Sequence, residues 1–392
     1  MARRKGLLVR VAACLLAAVG AAGCTGTALP PEGDDTTVGP SGTTTTASVP
    51  PGPVASGSRR LQVVPVARVR LRGLPLAVGL KLVGSRVLLA GCADCARDGD
   101  AGALYVHDLR TGRTARAATT TFPRGIAVPL GGAGNRLVWQ DIAPVPPQLS
   151  GRTQWRLEVL DLATGDRRRL AGTTPGTRSA APWAVVRDDL VAWQDLAGES
   201  FAGPVHVADL AGTAPLVARD VPGPLADVAR GALLYVGAWP PSGNGLDVAD
   251  PQTPSDAFAL SLFGTAATPL SATHDVGSVT TDGTTAVWTT PRGASTAVWA
   301  APLRGGAPQV VYRGGNVERV PGDGFVAVLT DGEPVLQVAP LEGGPVLTLP
   351  DVPLAAAGLA ADGARLAYVA APGRETEPDA RHPLELVVVE VR

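Results

Sequence analysis

Few residues in this chain have both the type and the spacing to do chemistry. Cys92 and Cys95 stand together as CADC, and in an oxidising compartment a pair this close is most simply a disulfide across a loop. A redox-active pair would open a helix after a strand, and no helix is readable there. Zinc would need further Cys or His beside them. The four histidines, His107, His206, His274 and His382, are scattered without metal-ligand spacing; only His274, beside Asp275, and His382 are placed to reach a functional surface. GESFA (Gly198 to Ala202) approaches the strained Gly-x-Ser-x-Gly turn that presents a nucleophile, but Ala202 replaces the second glycine and no helix follows. Asp247, Asp250 and Asp256 offer the hard oxygens that calcium takes, at a spacing unlike an EF-hand loop. None of these sets amounts to a catalytic constellation, and no cofactor or metal is expected.

Charge and composition narrow the field further. The formal net charge over 392 residues is -1, but Arg3, Arg4, Lys5 and Arg10 lie in a segment expected to be removed, and without those four positive charges the remainder carries -5. A nucleic-acid binder needs a concentrated basic surface, which a mildly acidic chain does not offer. Of 34 basic residues only Lys5 and Lys81 are lysines; with the abundance of Ala, Gly, Pro and Arg, this reads as the coding bias of a GC-rich bacterium and points to no site.

Residues 1–24 combine a basic start with an apolar run from Val11 to Ala22 and a small-residue end. The run is too short to span a bilayer at about 1.5 Å per residue, so it reads as a signal peptide. Its end, AAGC (Ala21 to Cys24), resembles the lipobox of bacterial lipoproteins, and the resemblance implies a diacylated Cys24 at the mature terminus. Ordinary secretion is the alternative. Residues 25–58 are Thr, Pro, Gly and Ser with three acids, Glu32, Asp34 and Asp35, and with so little to bury they predict a disordered tether whose typical reach is about 30 Å.

From residue 59 onward the chain repeats. LYVHDLRTG (Leu104 to Gly112) returns as LEVLDLATG (Leu157 to Gly165), VHVADLAG (Val205 to Gly212), AFALSLFG (Ala257 to Gly264), AVWAAPLRGG (Ala297 to Gly306), VLQVAPLEGG (Val335 to Gly344) and LELVVVEVR (Leu384 to Arg392). A shorter apolar strand precedes each copy, often with an aromatic at one position: Trp139, Trp193, Tyr235, Trp288 and Tyr368. A small-residue strand precedes that, and in six units a short fourth strand follows. Seven units of four antiparallel strands predict an all-β, seven-bladed β-propeller. The last unit ends after its third strand, so the unassigned run Leu61 to Leu71 is expected to complete it and close the ring, with Pro65 on the bare outer edge where a missing amide donor costs little.

The polar-Gly turn, the apolar-aromatic strand and the D-L-x-x-G strand end resemble the repeats of TolB-like and WD-repeat-like periplasmic propellers, over roughly Leu61 to Arg392. The resemblance implies fold, since propellers carry many unrelated functions. The Trp-Asp pair of true WD repeats is missing, and so is the amino-terminal domain of the Tol-system protein.

Loop lengths then point to a face. Connections from second to third strand are long at Cys92 to Ala103, Ile142 to Trp155, Leu196 to Pro204, Ala238 to Asp256 and Ala371 to Pro383, and short in units five and six. Long loops on a rigid scaffold are where binding usually lies. They are rich in acids and carry Trp155, Phe201 and Trp239, which would suit a peptide, a glycan or a cationic partner; solvated loops without a ligand are the plain alternative. Polar residues expected near the central channel are Arg124, Asp227, Asp275, Asn316 and Glu318, with Trp183. Arg124, Trp183, Asp227, Trp239, Asp275 and His274 are therefore the candidate ligand-binding residues. The chain reads as an extracytoplasmic, membrane-anchored monomer that binds or scaffolds an envelope protein or glycan. A propeller-fold lyase or glycan-cleaving enzyme with charges at the channel mouth, and a structural part of an envelope complex, are the rivals.

Overall fold

A computed structural model describes residues 60–71, 79–91, 102–144, 152–195, 203–212, 215–238, 254–264, 267–292, 295–315, 317–330, 335–350, 358–370 and 384–392. The chain divides into Met1–Ser58 and Arg59–Arg392, and every described residue lies in the second unit. Within it the strands assort into seven four-stranded antiparallel sheets and one short two-stranded pairing of Arg152–Thr153 with Ser179–Ala180. Blade 1 is built from Leu80–Val83, Arg86–Gly91, Ala103–Asp108 and Arg113–Thr119. The innermost strands of the next five blades are Ile126–Ala133, Trp183–Arg187, Leu225–Ala229, Ser278–Thr281 and Val317–Gly322. Blade 7 takes Leu359–Asp362, Arg365–Ala370 and Glu385–Val391 from the C-terminus and Val63–Arg70 from the N-terminus. Each innermost strand packs against the innermost strands of both neighbouring blades, so the seven form a closed ring.

The expected closure by the N-terminal run is therefore present: Val63 pairs with Val391 and Arg70 with Glu385, and the register slips between Pro65 and Ala67. Pro65 sits in the outermost strand, where its lack of an N–H leaves no ladder bond unmade. Joining the two ends of the chain in one sheet removes the two free edges that an open array would present.

The core follows from strand alternation. Successive side chains of a strand point to opposite faces, and here each face meets a different blade. Seven apolar clusters result, one at each blade-to-blade interface. The recurrent aromatics all turn the same way: Trp139, Trp193, Tyr235, Trp288 and Tyr368 are buried against the blade that precedes their own. Truncating one such ring to Ala typically costs about 3–5 kcal/mol, which explains why a bulky residue recurs at that position.

The D-L-x-x-G motif has a physical account as well. The Asp108 carboxylate accepts hydrogen bonds from the amides of Arg110 (2.8 Å) and Thr111 (3.2 Å), Asp161 accepts one from Ala163 (2.9 Å), and Ser261 serves Phe263 and Gly264 in the same way. Gly112 and Gly165 then take positive φ values of 67° and 80°, conformations open to glycine at no steric cost. The residue between Asp and the turn donates its amide back to the turn joining the first two strands of its own blade: Leu109 to Ser85, Leu162 to Asn135, Leu210 to Asp189, Leu262 to Gly231, Leu303 to Thr284, Leu341 to Gly324 and Val391 to Ala364, all at 2.8–3.0 Å. These two turns therefore share one face, and the connections from second to third strand leave by the other.

Two substitutions in blade 7 separate core from edge. Val388 is fully buried, and Val388→Asp is expected to lower the chemical-denaturation stability by more than about 3 kcal/mol. Pro65→Val, on the outer edge, is expected to stay within about 0.5 kcal/mol of the parent.

Candidate functional site

Two polar constellations stand out among the described residues. The first lies in the central channel. Asp227, on the innermost strand of blade 4, is buried and its carboxylate is fully engaged: it accepts from Arg187 of blade 3 at 3.1 Å, from the Thr280 hydroxyl of blade 5 at 2.7 Å, from the Thr281 amide at 3.0 Å and from the Val228 amide at 2.8 Å. One carboxylate thus joins three blades. Arg319, on the innermost strand of blade 6, reaches blade 5, donating to the Ser278 hydroxyl at 2.8 Å and the Val287 carbonyl at 3.3 Å. The Nε atoms of Arg187 and Arg319 are buried without a hydrogen-bond partner.

Lys81 completes this group from blade 1. Its strand neighbours Leu80 and Leu82 are buried, whereas Lys81 itself is exposed. It senses the charges of Arg187, Asp227 and Glu318, which belong to blades 3, 4 and 6, and it meets those fields only across the lumen. Among the described residues it makes no hydrogen bond or ion pair. Desolvation by the protein around the channel lowers its pKa, with the Arg187 cation adding to the effect and Asp227 and Glu318 opposing it, and its exposure screens that shift. Burial likewise lowers Arg319 to about 10, with Asp227 opposing, whereas the net effect on Arg187 is a rise, because its bond to Asp227 and the nearby Asp188 and Asp282 outweigh its burial.

The second constellation lies on the long-loop face, in the link between blades 4 and 5. The wholly buried Asp256 accepts from the Ser271 hydroxyl at 2.6 Å, from the His274 amide at 3.1 Å and from His274 Nδ1 at 2.6 Å. His274 is held at a φ of 57°, a costly conformation for a residue with a side chain, and its ring is 41% exposed. A neutral imidazole that donates from Nδ1 keeps its lone pair on Nε2, so Asp256 sets the tautomer. Ser271 bonds to the carboxylate, so the order Ser–His–Asp of a hydrolase relay is not formed here. Beside it, Thr273 Oγ1 and Asp275 Oδ1 are buried without hydrogen-bond partners.

The other expected site residues are dispersed. Arg124 is an exposed residue in the link between blades 1 and 2, at a φ of 57°. Trp183 is half-buried against the apolar cluster between blades 3 and 4, its Nε1 without a hydrogen-bond partner. Glu318 accepts from the Leu359 amide of blade 7 at 3.4 Å. Trp239, Asn316, Cys24, Cys92, Cys95, Asp247, Asp250, His382 and the GESFA stretch lie outside the described residues. Gln140 and Gln194, which recur after the aromatic column, close blade links instead: Gln140 donates to the Pro182 carbonyl at 3.0 Å, and Gln194 donates to the Gly223 carbonyl and accepts from the Leu225 amide. The cations Lys81, Arg187 and Arg319 escaped sequence reasoning. For Lys81 the one available signal was that it is the only lysine besides Lys5 in a chain that otherwise uses arginine.

No family model matches the chain, and no curated protein does. Among solved structures it is similar to the β-propeller domain of the Trilobed protease from Pyrococcus furiosus, at 10% identity and a TM-score of 0.57 over 81% of this chain and 95% of that one. An acylaminoacyl peptidase from Pyrococcus horikoshii matches at 12% identity and a TM-score of 0.54, over 81% of this chain and 51% of its own, so this chain spans about half that enzyme's length. TolB from Acinetobacter baumannii aligns at 13% identity over 70% of this chain and 56% of its own, with a TM-score of 0.36, and no argument rests on it. The chain has the seven-bladed β-propeller fold. The Pyrococcus furiosus domain is described as having an open velcro topology; in this chain the N-terminal strand closes the last blade.

The channel gives two measurable expectations. Asp227→Ala strands Arg187 in a buried setting and is expected to cost about 3–5 kcal/mol in urea unfolding. A lowered native pKa at Lys81 means that, between that pKa and the ordinary 10.5, the unfolded chain binds the extra proton. Stability contributed by this group therefore rises with pH across that window, and Lys81→Met is expected to remove the rise from a pH series of melting curves.

Proposed function

We propose that this chain is a lipid-anchored, extracytoplasmic propeller that binds an envelope protein or glycan through its long-loop face. The observation that carries the reading is the His274–Asp256 pair on that face. A buried carboxylate fixes a partly exposed imidazole at a strained backbone position, an expenditure of stability that functional sites commonly show. Five connections that leave by the same face are long: second and third strands are separated by residues 92–102, 143–154, 195–202, 239–254 and 371–384 in blades 1, 2, 3, 4 and 7. In blades 5 and 6 the separations are only 293–294 and 331–335. The five long ones arise from adjacent blades. A lipid on Cys24 and a Thr- and Pro-rich tether from 25 to 58 would hold the propeller clear of the membrane.

A second reading has its own observation. An imidazole with a carboxylate on Nδ1 is the arrangement of a general base, so a lyase or other glycan-cleaving activity centred on His274 is the alternative. Substrate consumption by the parent and its loss in His274→Asn would favour it.

The test is an envelope-fraction pull-down with the full chain beside a variant in which residues 240–252 become a short Gly-Ser turn, leaving Ser255 and Asp256 in place. Capture of the same partner or glycan by the parent alone is the expected result; equal capture by both moves the site off this face. Cys24→Ser is expected to shift the chain from the membrane to the soluble fraction on centrifugation, and continued membrane retention would reject the lipid anchor.

A further inference from the structure

We infer that a small cavity on the long-loop face, where blade 2 meets the link from blade 1, is a binding site for one oxyanion group, a carboxylate or a phosphate, held between Arg156 and Arg169. The cavity measures about 120 Å³, and its lining includes Phe122, Gln154, Arg156, Arg169, Thr173 and Gly176. Arg156 lies at the start of the third strand of blade 2, Trp155–Asp161, and Arg169 on the outer strand, Arg167–Gly172. Arg169 pairs with Glu158 in the register, and Glu158 is two positions from Arg156, so both arginines project from one face of the sheet. The Arg156 guanidinium lies over the Phe122 ring at 4.9 Å and donates from Nη1 to the Thr121 hydroxyl at 2.7 Å. A guanidinium carries five N–H donors, so these contacts hold the group in place and leave most of its donors open. Arg169 makes no hydrogen bond or ion pair among the described residues, and neither does the Gln154 carboxamide.

The carboxylates nearest in the sheet are already engaged. Glu158 is 4% exposed and accepts from Arg167 Nε. Asp141 is wholly buried and accepts from the Thr121 amide and hydroxyl at 2.9 and 2.7 Å and from the Thr120 hydroxyl, with Arg167 Nη2 at 3.8 Å. Asp161 and Asp166 belong to the tight turn at the other end of the blade. Positive charge accumulates instead: the exposed Arg152 comes from the same connection as Gln154, and the exposed Arg178 from the same link as Gly176. Two guanidiniums on one small cavity repel each other. An oxyanion between them removes the repulsion, and the planar fork of arginine matches carboxylate and phosphate in bidentate pairs. Shielding a sheet edge is the plain duty of charge on an outer strand, yet it asks nothing of Arg156, which lies one strand inward. A cavity of this size takes one such group with a few waters, so the rest of the ligand would lie over the face outside it. The site uses neither His274 nor Asp256, and its failure would leave the reading of that pair intact.

Calorimetric titration of the full chain in detergent at neutral pH and constant ionic strength, with inorganic phosphate in one arm and malonate in the other, tests the inference. The parent is expected to bind at least one anion with a Kd of about 1 mM or tighter. Arg169→Gln breaks no protein contact, so it is expected to melt with the parent in the absence of anion and to bind at least about tenfold more weakly. Arg313→Gln removes the same charge from the outer strand of blade 5 and is expected to bind as the parent does. Binding of phosphate alone assigns a phosphorylated ligand and binding of malonate alone a carboxylate, and either supports the site. No saturable binding by the parent, undiminished affinity in Arg169→Gln, or equal weakening by Arg313→Gln overturns the inference.

Discussion

One hydrogen bond, repeated in every blade, sets the geometry on which the rest of this propeller depends. The amide at or just after the end of the third strand donates to a carbonyl in the turn between the first and second, tying the inner and outer halves of each sheet at one end. Neighbouring blades are then clasped at the same end. Arg168 donates to the Leu210 carbonyl and Arg219 to the Leu262 carbonyl, each at 3.1 Å, so a side chain of one blade's outer strand fastens the clasped turn of the next. Backbone groups that would otherwise be unpaired in tight turns are satisfied without water, and this face has little freedom to grow insertions.

The opposite face is built differently. There the links between blades are satisfied by side chains of the second and third strands. Asp141 accepts from the amide and hydroxyl of Thr121 at 2.9 and 2.7 Å, Gln140 and Gln194 hold the following link, and Asp256 holds the link that carries His274. Those links are pinned mainly from within the blades, and in blade 2 the connection from second to third strand also pairs with one, Arg152–Thr153 with Ser179–Ala180. In five adjacent blades the connections from second to third strand are long. The His274–Asp256 pair thus grew out of a structural device: a carboxylate that closes a blade link also orients an imidazole.

The channel is a third environment, and its charges are unequally settled. Asp227 joins three blades and is consumed in doing so, while Arg319 carries a guanidinium whose pKa burial lowers. A ring whose blades pack through seven separate apolar clusters can tolerate an unsettled centre, because no cluster runs through the lumen.

The sequence alone determined the number of blades, the strand order within each and the closure by Leu61 to Leu71, because each is written locally. Alternation sets strands, Asp and Gly set turns, and the period repeats often enough to be counted. The aromatic column and the lengths of the loops were legible for the same reason. Tertiary structure decided which polar residues meet. Asp227 and Arg187 are forty positions apart, and Lys81 and Glu318 far more. Only the ring brings them together, since a strand's period states which face a side chain takes and not what stands across a channel. Arg124 and Asp275 resembled channel residues in the sequence, yet each sits in a link between blades. Lys81 carried no local motif at all, and its environment exists only once seven distant strands have closed.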